Sequence, residues 1–489
     1  MKTKKLIPTL FATAVIALTG CTSSKGGQEG GSGGEKKGHF DHEVTIKFSQ
    51  SYAQGYQAQL QSYVDKFNEI EPYVKINLED GWISGNYDTI HNQTISDIGT
   101  GEYGDLVVCY SDHVVDYIDY GKAVKLDDYM NNPEYGWTEA EKADMIQGFL
   151  IEGQSFPIEG TYCLPFSKST EAMFYNKTIL LDTALVSFLA TKNITMNEQY
   201  LSTLTWEELF GKLCPALDAY AADGHKLIET QENGINAYVG YDSDANLFIT
   251  LAQQYGYGYT SMNSLGVASL DFNNDNMKGL MKTFADASKK NYFRTPATIG
   301  ASYSSDYFKK MNTLFSIGST AGVKNQVASD FDVGVTRIPQ AANHDPKLIS
   351  QGPSMCILSH GDKDRVLASW LFYKFITNTN NTAKWATTVG YLPVRTSAYT
   401  SETYQEYCDD TGKDARSLEL LSALNAKYSS STSSYVFTTP AFKGSSSART
   451  QVGSLVATMF KDVASGKTID DAYLKTAFDL AVNNIKKDM

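Results

Sequence analysis

The side chains able to do chemistry in this chain do not assemble, by type and spacing, into a reaction centre. The seven histidines, His39, His42, His91, His113, His225, His344 and His360, form no HExxH pair or comparable ligand set, and no GxSxG nucleophile elbow occurs. A glycoside hydrolase would need two carboxylates at a set separation, and no acidic pair stands apart from the many solvated ones. "DFNNDNM" (271–277) has the acid and amide pattern of a calcium loop, but Asn276 replaces the turn glycine and Lys282 the bidentate glutamate. It reads as a strand end and helix cap, and neither metal nor cofactor is expected. What recurs instead is a set of aromatic, hydroxyl and carboxylate residues in irregular polar stretches: Trp82, Tyr87, Ser111, Asp112, Ser169, Thr170, Asp242, Asp244, Ser319, Thr320 and Tyr391. Carboxylates accept hydrogen bonds, hydroxyls donate and accept, and aromatic faces cover apolar ring surface. That chemistry holds a polar small molecule without converting it. Asp242 and Asp244 carry a second reading, since "YDSDANLF" (241–248) also suits the cap of a helix beginning near Ala245.

The elements that must position these residues alternate in kind. "VTIKFSQS" (44–51) places Val44, Ile46 and Phe48 at strand spacing, and Tyr56, Leu60, Val64 and Phe67 then fall on one helical face. "YVKINLED" (73–80) repeats the strand pattern, Ile90, Thr94, Ile95 and Ile98 make a second helical stripe, and "DLVVCYSD" (105–112) is a short apolar run suited to a buried parallel strand. Strand, helix, strand, helix, strand is the start of a doubly wound α/β sheet. Ligands of such sheets bind outside the carboxyl ends of the strands, which here means the loops at 50–52, 80–87 and 111–112. Further on, Thr205 and Glu208 have the spacing of a helix capping box. "VLASWLFYKFI" (366–376) reads as a core helix, and "FDVGVTRIP" (331–339) as a strand that crosses between lobes at Pro339.

The first residues and the overall composition narrow the setting. Lys2, Lys4 and Lys5 precede an apolar stretch from Leu6 to Leu18, shorter than the roughly 20 residues a membrane-spanning helix needs, which reads as a secretory signal. Thr19 and Gly20 before Cys21 resemble the lipobox of bacterial lipoproteins, which implies removal of residues 1–20 and lipidation of Cys21. Residues 21–41, rich in Gly, Ser and charge, then serve as a flexible tether to the outer face of the cell membrane. Taking 20 residues from 489 leaves 469, enough for two α/β domains. The net charge of −13 excludes nucleic acid as the expected partner. Of the six cysteines, Cys109, Cys163, Cys214, Cys356 and Cys408 remain; they show no CxxC spacing and are expected to be free, with one disulfide left open. No internal repeat of the kind seen in adhesive surface proteins is evident.

The stretch "TYCLPFSKSTEAMFYNK" (161–177) resembles the crossing segment of the family 1 extracellular solute-binding proteins of bacterial ABC importers, above all its glycerol-3-phosphate-binding members. "TWEELFGKL" (205–213), "FDVGVTRIP", "SQGPSMCIL" (350–358), "ASWLFYKFIT" (368–377) and "WATTVGYLPVRTSAY" (385–399) follow in the family's order, so the resemblance covers the chain from residue 42 onward. It implies a two-lobed periplasmic-binding-protein-like α/β fold of class II, with residues 42–164 and 340–388 in the first lobe, and 165–339 and 389–489 in the second. The lobes would close by hinge motion over a ligand in the cleft. It also implies a monomeric, non-enzymatic receptor that delivers a carbohydrate, most simply an oligosaccharide, to ABC permease subunits driven by a cytoplasmic ATPase. By the resemblance, Tyr87, Ser169, Ser319, Gly352 and Tyr391 align with ligand-binding positions. Two positions depart: Ser111 followed by Asp112 stands where a glutamate is found, and Ser446 where phosphate-binding members have an arginine. A buried phosphate calls for charge-assisted donors, and serine offers one neutral bond. The expectation is therefore an uncharged saccharide, with glycerol 3-phosphate or a phosphodiester as the alternative, and Arg449 and Lys443 are read as exposed surface cations.

Overall fold

The computed structural model describes residues 38–229, 236–299, 303–409 and 435–489. The signal, Cys21 and nearly all of the tether lie outside the described residues, and so does the side chain of Cys408. Fourteen strands are present among them: β1 (Val44–Ser49), β2 (Val74–Asn77), β3 (Leu106–Cys109), β4 (Leu164–Pro165), β5 (Glu171–Asn176), β6 (Val239–Tyr241), β7 (Thr260–Met262), β8 (Ala268–Leu270), β9 (Phe293–Arg294), β10 (Phe315–Ser319), β11 (Val333–Arg337), β12 (Leu348–Ile349), β13 (Ser354–Ile357) and β14 (Val436–Phe437).

Two five-stranded sheets organise two lobes. The first has the order β2-β1-β3-β13-β4, and the second β11-β5-β10-β6-β9. In the first, β1 pairs in parallel with β2 and β3, the 2-1-3 order of a doubly wound sheet, and β13 returns antiparallel to β3. The alternation of Val44, Ile46 and Phe48 fits one buried face, and helix Gln54–Asn68 covers it with Leu60, Tyr63, Val64 and Phe67. In β3, Leu106 to Cys109 are buried on both faces, as a central strand requires. Helix Lys363–Ile376 is buried almost all round, through Val366, Trp370, Leu371, Phe372, Tyr373 and Ile376. In the second lobe β6 runs parallel to β9 and β10, while β5 and β11 run antiparallel to their neighbours. Helices Asp244–Gln254, Asp275–Lys289 and Ser445–Ala464 pack into its core. Cys109, Cys163, Cys214 and Cys356 are buried free thiols.

Two of the segments that join the lobes lie side by side, and a later one takes the chain from helix Lys363–Ile376 of the first lobe to helix Ser445–Ala464 of the second. The first leaves the first sheet at Pro165, which closes β4, and enters the second at Glu171. The second does not lie at Pro339, as the sequence pattern suggests. β11 stays on the edge of the second sheet, and Pro339 and Gln340 remain there, accepting hydrogen bonds from Gln254 and from the Trp206 backbone. The return path follows β12, whose Leu348 and Ile349 belong to the second lobe's core, and crosses at Ser350–Pro353 before β13. There Ser169 and Gln351 exchange backbone hydrogen bonds of 2.9 Å, which staple the two crossings together. Leu392, Ala398, Tyr399 and Tyr404 pack with Ile146 and Phe149 in a separate apolar cluster rather than in the second lobe's core. The Ile146 amide, bonded to the Val394 carbonyl, and the Leu392 amide, bonded to Lys168, hold that segment beside the first crossing.

Candidate ligand-binding cleft

Between the lobes lies a cleft of about 950 Å³. One wall is the carboxyl end of β3 and the helices beside it. Ser111 and Asp112 open helix Ser111–Asp119, and Asp88, His91 and Asn92 come from helix Tyr87–Ile98. The opposite wall is helix Ser445–Ala464, contributing Ser446, Ser447, Arg449 and Thr450, with Lys443 just before it. The floor is the crossing region, with Glu152, Ser350, Gln351 and Gly352.

The floor is built around a buried ion pair. Lys168 is fully buried, and its Nζ donates to Glu152 Oε2 at 2.8 Å and to the Gly352 carbonyl at 2.7 Å. Ser350 Oγ donates to the same Glu152 oxygen at 2.9 Å. A charged group withdrawn from water is tolerated only with this kind of full satisfaction. Gly352 takes φ +79°, and a Cβ there would lie 2.0 Å from the Ser167 carbonyl oxygen, so only glycine lets the two crossings approach this closely.

On the first lobe's wall, His91 and His113 stack with ring centroids 4.5 Å apart, and each gives its Nε2 to a carboxylate: His91 to Asp116 at 3.0 Å, His113 to Asp88 at 3.1 Å. The His113 contact holds the Asp88 carboxyl below its ordinary range. Beside them Tyr87 packs edge-on against Tyr110, and its hydroxyl meets that of Tyr391 at 3.0 Å. Burial pushes the hydroxyls of Tyr87 and Tyr391 up, so both are neutral and usable as donors.

On the second lobe's side, Glu171 begins β5 in full burial and accepts from Tyr241 Oη and from Asn246 Nδ2. Asn246 in turn accepts from Arg449 through its Oδ1. Desolvation raises the Glu171 carboxyl to about 7, against the two hydrogen bonds and the nearby Arg449, which pull it down.

The residues singled out from the sequence are not all brought together. Ser111, Asp112, Gly352 and Ser446 line the cleft, and Tyr87 and Tyr391 form a hydroxyl pair beside it through Tyr110. Ser169 is buried in the staple between the crossings. Ser319 caps the turn Thr320–Gly322. Asp242 turns away, accepting the Ser304 amide, and burial raises its carboxyl. Asp244 lies in the first turn of helix Asp244–Gln254, capped by Ser243, and burial raises its carboxyl too. The helix-cap reading of "YDSDANLF" therefore describes the local structure. Trp82 is exposed and anchored by its Nε1 to the Tyr52 carbonyl, in a separate depression with Gln54, Gln57, Gln61 and Leu78. Arg449 and Lys443, expected as surface cations, both line the cleft. Lys168 and Glu171 lie within the 161–177 stretch and Asn246 within 241–248, but neither those patterns nor anything around Glu152 singles these residues out. Their one sequence signal is a charged or amide residue at a position whose neighbours are apolar or small.

The chain matches the bacterial extracellular solute-binding protein family over residues 62–409. It belongs to that family. This solute-binding protein is 26% identical over 270 residues to the sn-glycerol-3-phosphate-binding periplasmic protein UgpB of Yersinia enterocolitica, a match covering 53% of this chain and 54% of the relative. The matched region thus spans about half the length of that curated relative. Among solved structures, the solute-binding protein is similar to the cyclic alpha-maltosyl-1,6-maltose binding protein of Arthrobacter globiformis, with TM-score 0.66 and 16% identity, covering 91% of this chain and 100% of that one. It is also similar to UgpB of Mycobacterium tuberculosis in complex with glycerophosphocholine, with TM-score 0.61 and 16% identity, covering 90% and 99%. These likenesses give the two-lobed fold. Among the described residues no helix is long and apolar enough to cross a membrane.

Proposed function

We propose that this solute-binding protein is the lipid-anchored, extracellular receptor of an ABC importer, capturing an uncharged carbohydrate by closure of its lobes and releasing it unchanged to the permease. The observation that carries the ligand class is the charge balance of the cleft. Asp88, Asp112, Asp116 and Asp488 line it, against Arg449 and Lys443, while Glu152 is already offset by the buried Lys168. A phosphate dianion brought into a partly desolvated space with these carboxylates would be repelled by more charges than attract it. Sugar hydroxyls instead donate to carboxylates and accept from cations and serines, so a neutral saccharide satisfies both signs. The volume of about 950 Å³ leaves room for several sugar rings. The Arthrobacter relative, named for a cyclic maltosaccharide, supports the same class. Anchoring through Cys21, a monomeric state and the absence of catalysis belong to this reading.

A thermal-shift series with maltose, maltotriose and other neutral oligosaccharides, set beside glycerol 3-phosphate and glycerophosphocholine, tests it. A saccharide at about a hundred times its dissociation constant adds roughly 2.7 kcal/mol to the folded state, and it is recovered intact. Stabilisation by the phosphate compounds alone, with no response to any saccharide, would sink the carbohydrate reading and leave the receptor reading in place.

A further inference from the structure

Behind the second lobe's wall, the chain Glu171–Asn246–Arg449 runs from full burial to the cleft. An ionised carboxylate accepts only, so it obliges Asn246 to turn its amide nitrogen, at 3.0 Å, toward Glu171. The amide oxygen is thereby left for the Arg449 guanidinium, and one ionised acid sits one residue away from an arginine that lines the cleft wall. Protonation changes both things at once. The carboxyl becomes a donor, the amide is free to turn, and Arg449 loses both its acceptor and the charge that offsets it.

We propose that Glu171 is a specificity-determining positioning residue: through Asn246 it holds Arg449 and offsets its charge, so that the cleft favours neutral ligands when Glu171 is ionised and admits anions when it is protonated. The inference rests on the cleft being the ligand site, not on which ligand fills it. The groups that face Glu171 are Tyr241 and Asp242 at the end of β6, Asn246 on helix Asp244–Gln254, and Arg449 on helix Ser445–Ala464. Tyr241 stays a neutral donor, because burial and the adjacent carboxylate hold its hydroxyl well above the ordinary tyrosine range. Burial places the Glu171 transition near neutral pH.

Sulfate, whose charge is constant between pH 6 and pH 8, is the probe for Arg449, and maltotriose is the neutral companion; both are titrated calorimetrically into the purified protein and into E171Q. Binding coupled to a single proton changes at most tenfold per pH unit, and for the wild type a loss of sulfate affinity of about fivefold or more from pH 6 to pH 8 is expected. E171Q should hold sulfate at pH 8 about as well as the wild type does at pH 6. Any slope common to both proteins does not come from Glu171. Equal sulfate affinity of wild type and E171Q at pH 8, or no sulfate binding at either pH, overturns the inference. Maltotriose binding that is unaffected by E171Q supports it, since a structural defect would weaken both probes. Should E171Q fail to fold, the double variant H91Q/H113Q takes its place: a sulfate profile that still falls from pH 6 to pH 8 supports the inference, and a flat one overturns it. Failure of maltotriose to bind, with the sulfate pattern intact, counts against the carbohydrate reading alone.

Discussion

Two buried charged groupings border the cleft, the Lys168–Glu152 pair in its floor and Glu171 behind the second lobe's wall, and they behave oppositely. Lys168 and Glu152 form a satisfied pair, so removing one partner leaves the other charged and desolvated. K168M is expected to lower stability by about 3–5 kcal/mol, read from the shift in urea midpoint, and replacing Glu152 by leucine in the same chain should restore much of the loss. Glu171 has its carboxyl raised to about 7, above the ordinary glutamate value near 4.3. Between those two pH values the folded protein binds a proton that the unfolded chain has lost, so stability from this group falls as pH rises through the window. The fall amounts to roughly 4 kcal/mol at full ionisation. E171Q cannot ionise and escapes it. Its stability relative to the wild type should therefore rise by up to about 3 kcal/mol from pH 5 to pH 8, a differential that any constant loss of the Tyr241 bond leaves untouched. A pH-independent difference between the two chains would contradict the burial argument.

At the scale of elements, the crossings depend on close backbone approach. G352A places a methyl group against the Ser167 carbonyl and asks a non-glycine residue for φ +79°. The left-handed conformation alone costs about 1–2 kcal/mol, and the clash adds to it by pushing the Ser169–Gln351 staple apart. Lowered melting temperature together with faster proteolysis between residues 165 and 175 is expected; an unchanged proteolysis pattern would place the strain elsewhere. These elements also mark what the sequence made legible. β1, β2 and the helices between the strands are readable from the hydrophobic period, and β3 from its short continuous apolar run, buried on both faces. Ser111 and Asp112 are readable because a helix start after a strand opens onto the cleft, and Ser446 is readable only through the family resemblance. The second crossing was misplaced to Pro339, because proline at a strand end marks an edge and does not say which sheet the chain joins next. Trp82, Asp242 and Asp244 were polar or aromatic at the right end of the sheet but turned to local partners, a choice made by side-chain rotamers and invisible in residue order. The Glu171 network was missed for the converse reason. Its members come from β5, β6 and two helices far apart in sequence, and only folding brings them within hydrogen-bond reach.

Over the whole molecule, the question is what favours closure of the lobes. A contact that spans the cleft is made by the Asp112 carboxylate, which, in the first turn of helix Ser111–Asp119, accepts from Ser445 Oγ. Helix Ser445–Ala464 begins at Gly444, in a left-handed conformation and without a side-chain cap. The acid from the other lobe thus supplies a negative charge to two helix N-termini at once, which each favour it by some tenths of a kcal/mol. Opening the lobes removes the contact, and so Asp112 belongs to the closed state in a way that does not depend on the ligand. If so, D112A and S445A should each raise the dissociation constant of every ligand by the same factor, about fivefold for 1 kcal/mol of lost closure. The double variant should be no worse than either single one, because both remove one interaction. Solution scattering should show a larger radius of gyration for the ligand-free variants than for the wild type, with all converging when ligand is saturating. A loss confined to some ligands, or additive effects of the two substitutions, would instead make Asp112 a direct ligand contact, and closure would then rest on the ligand bridging Arg449 to the first lobe.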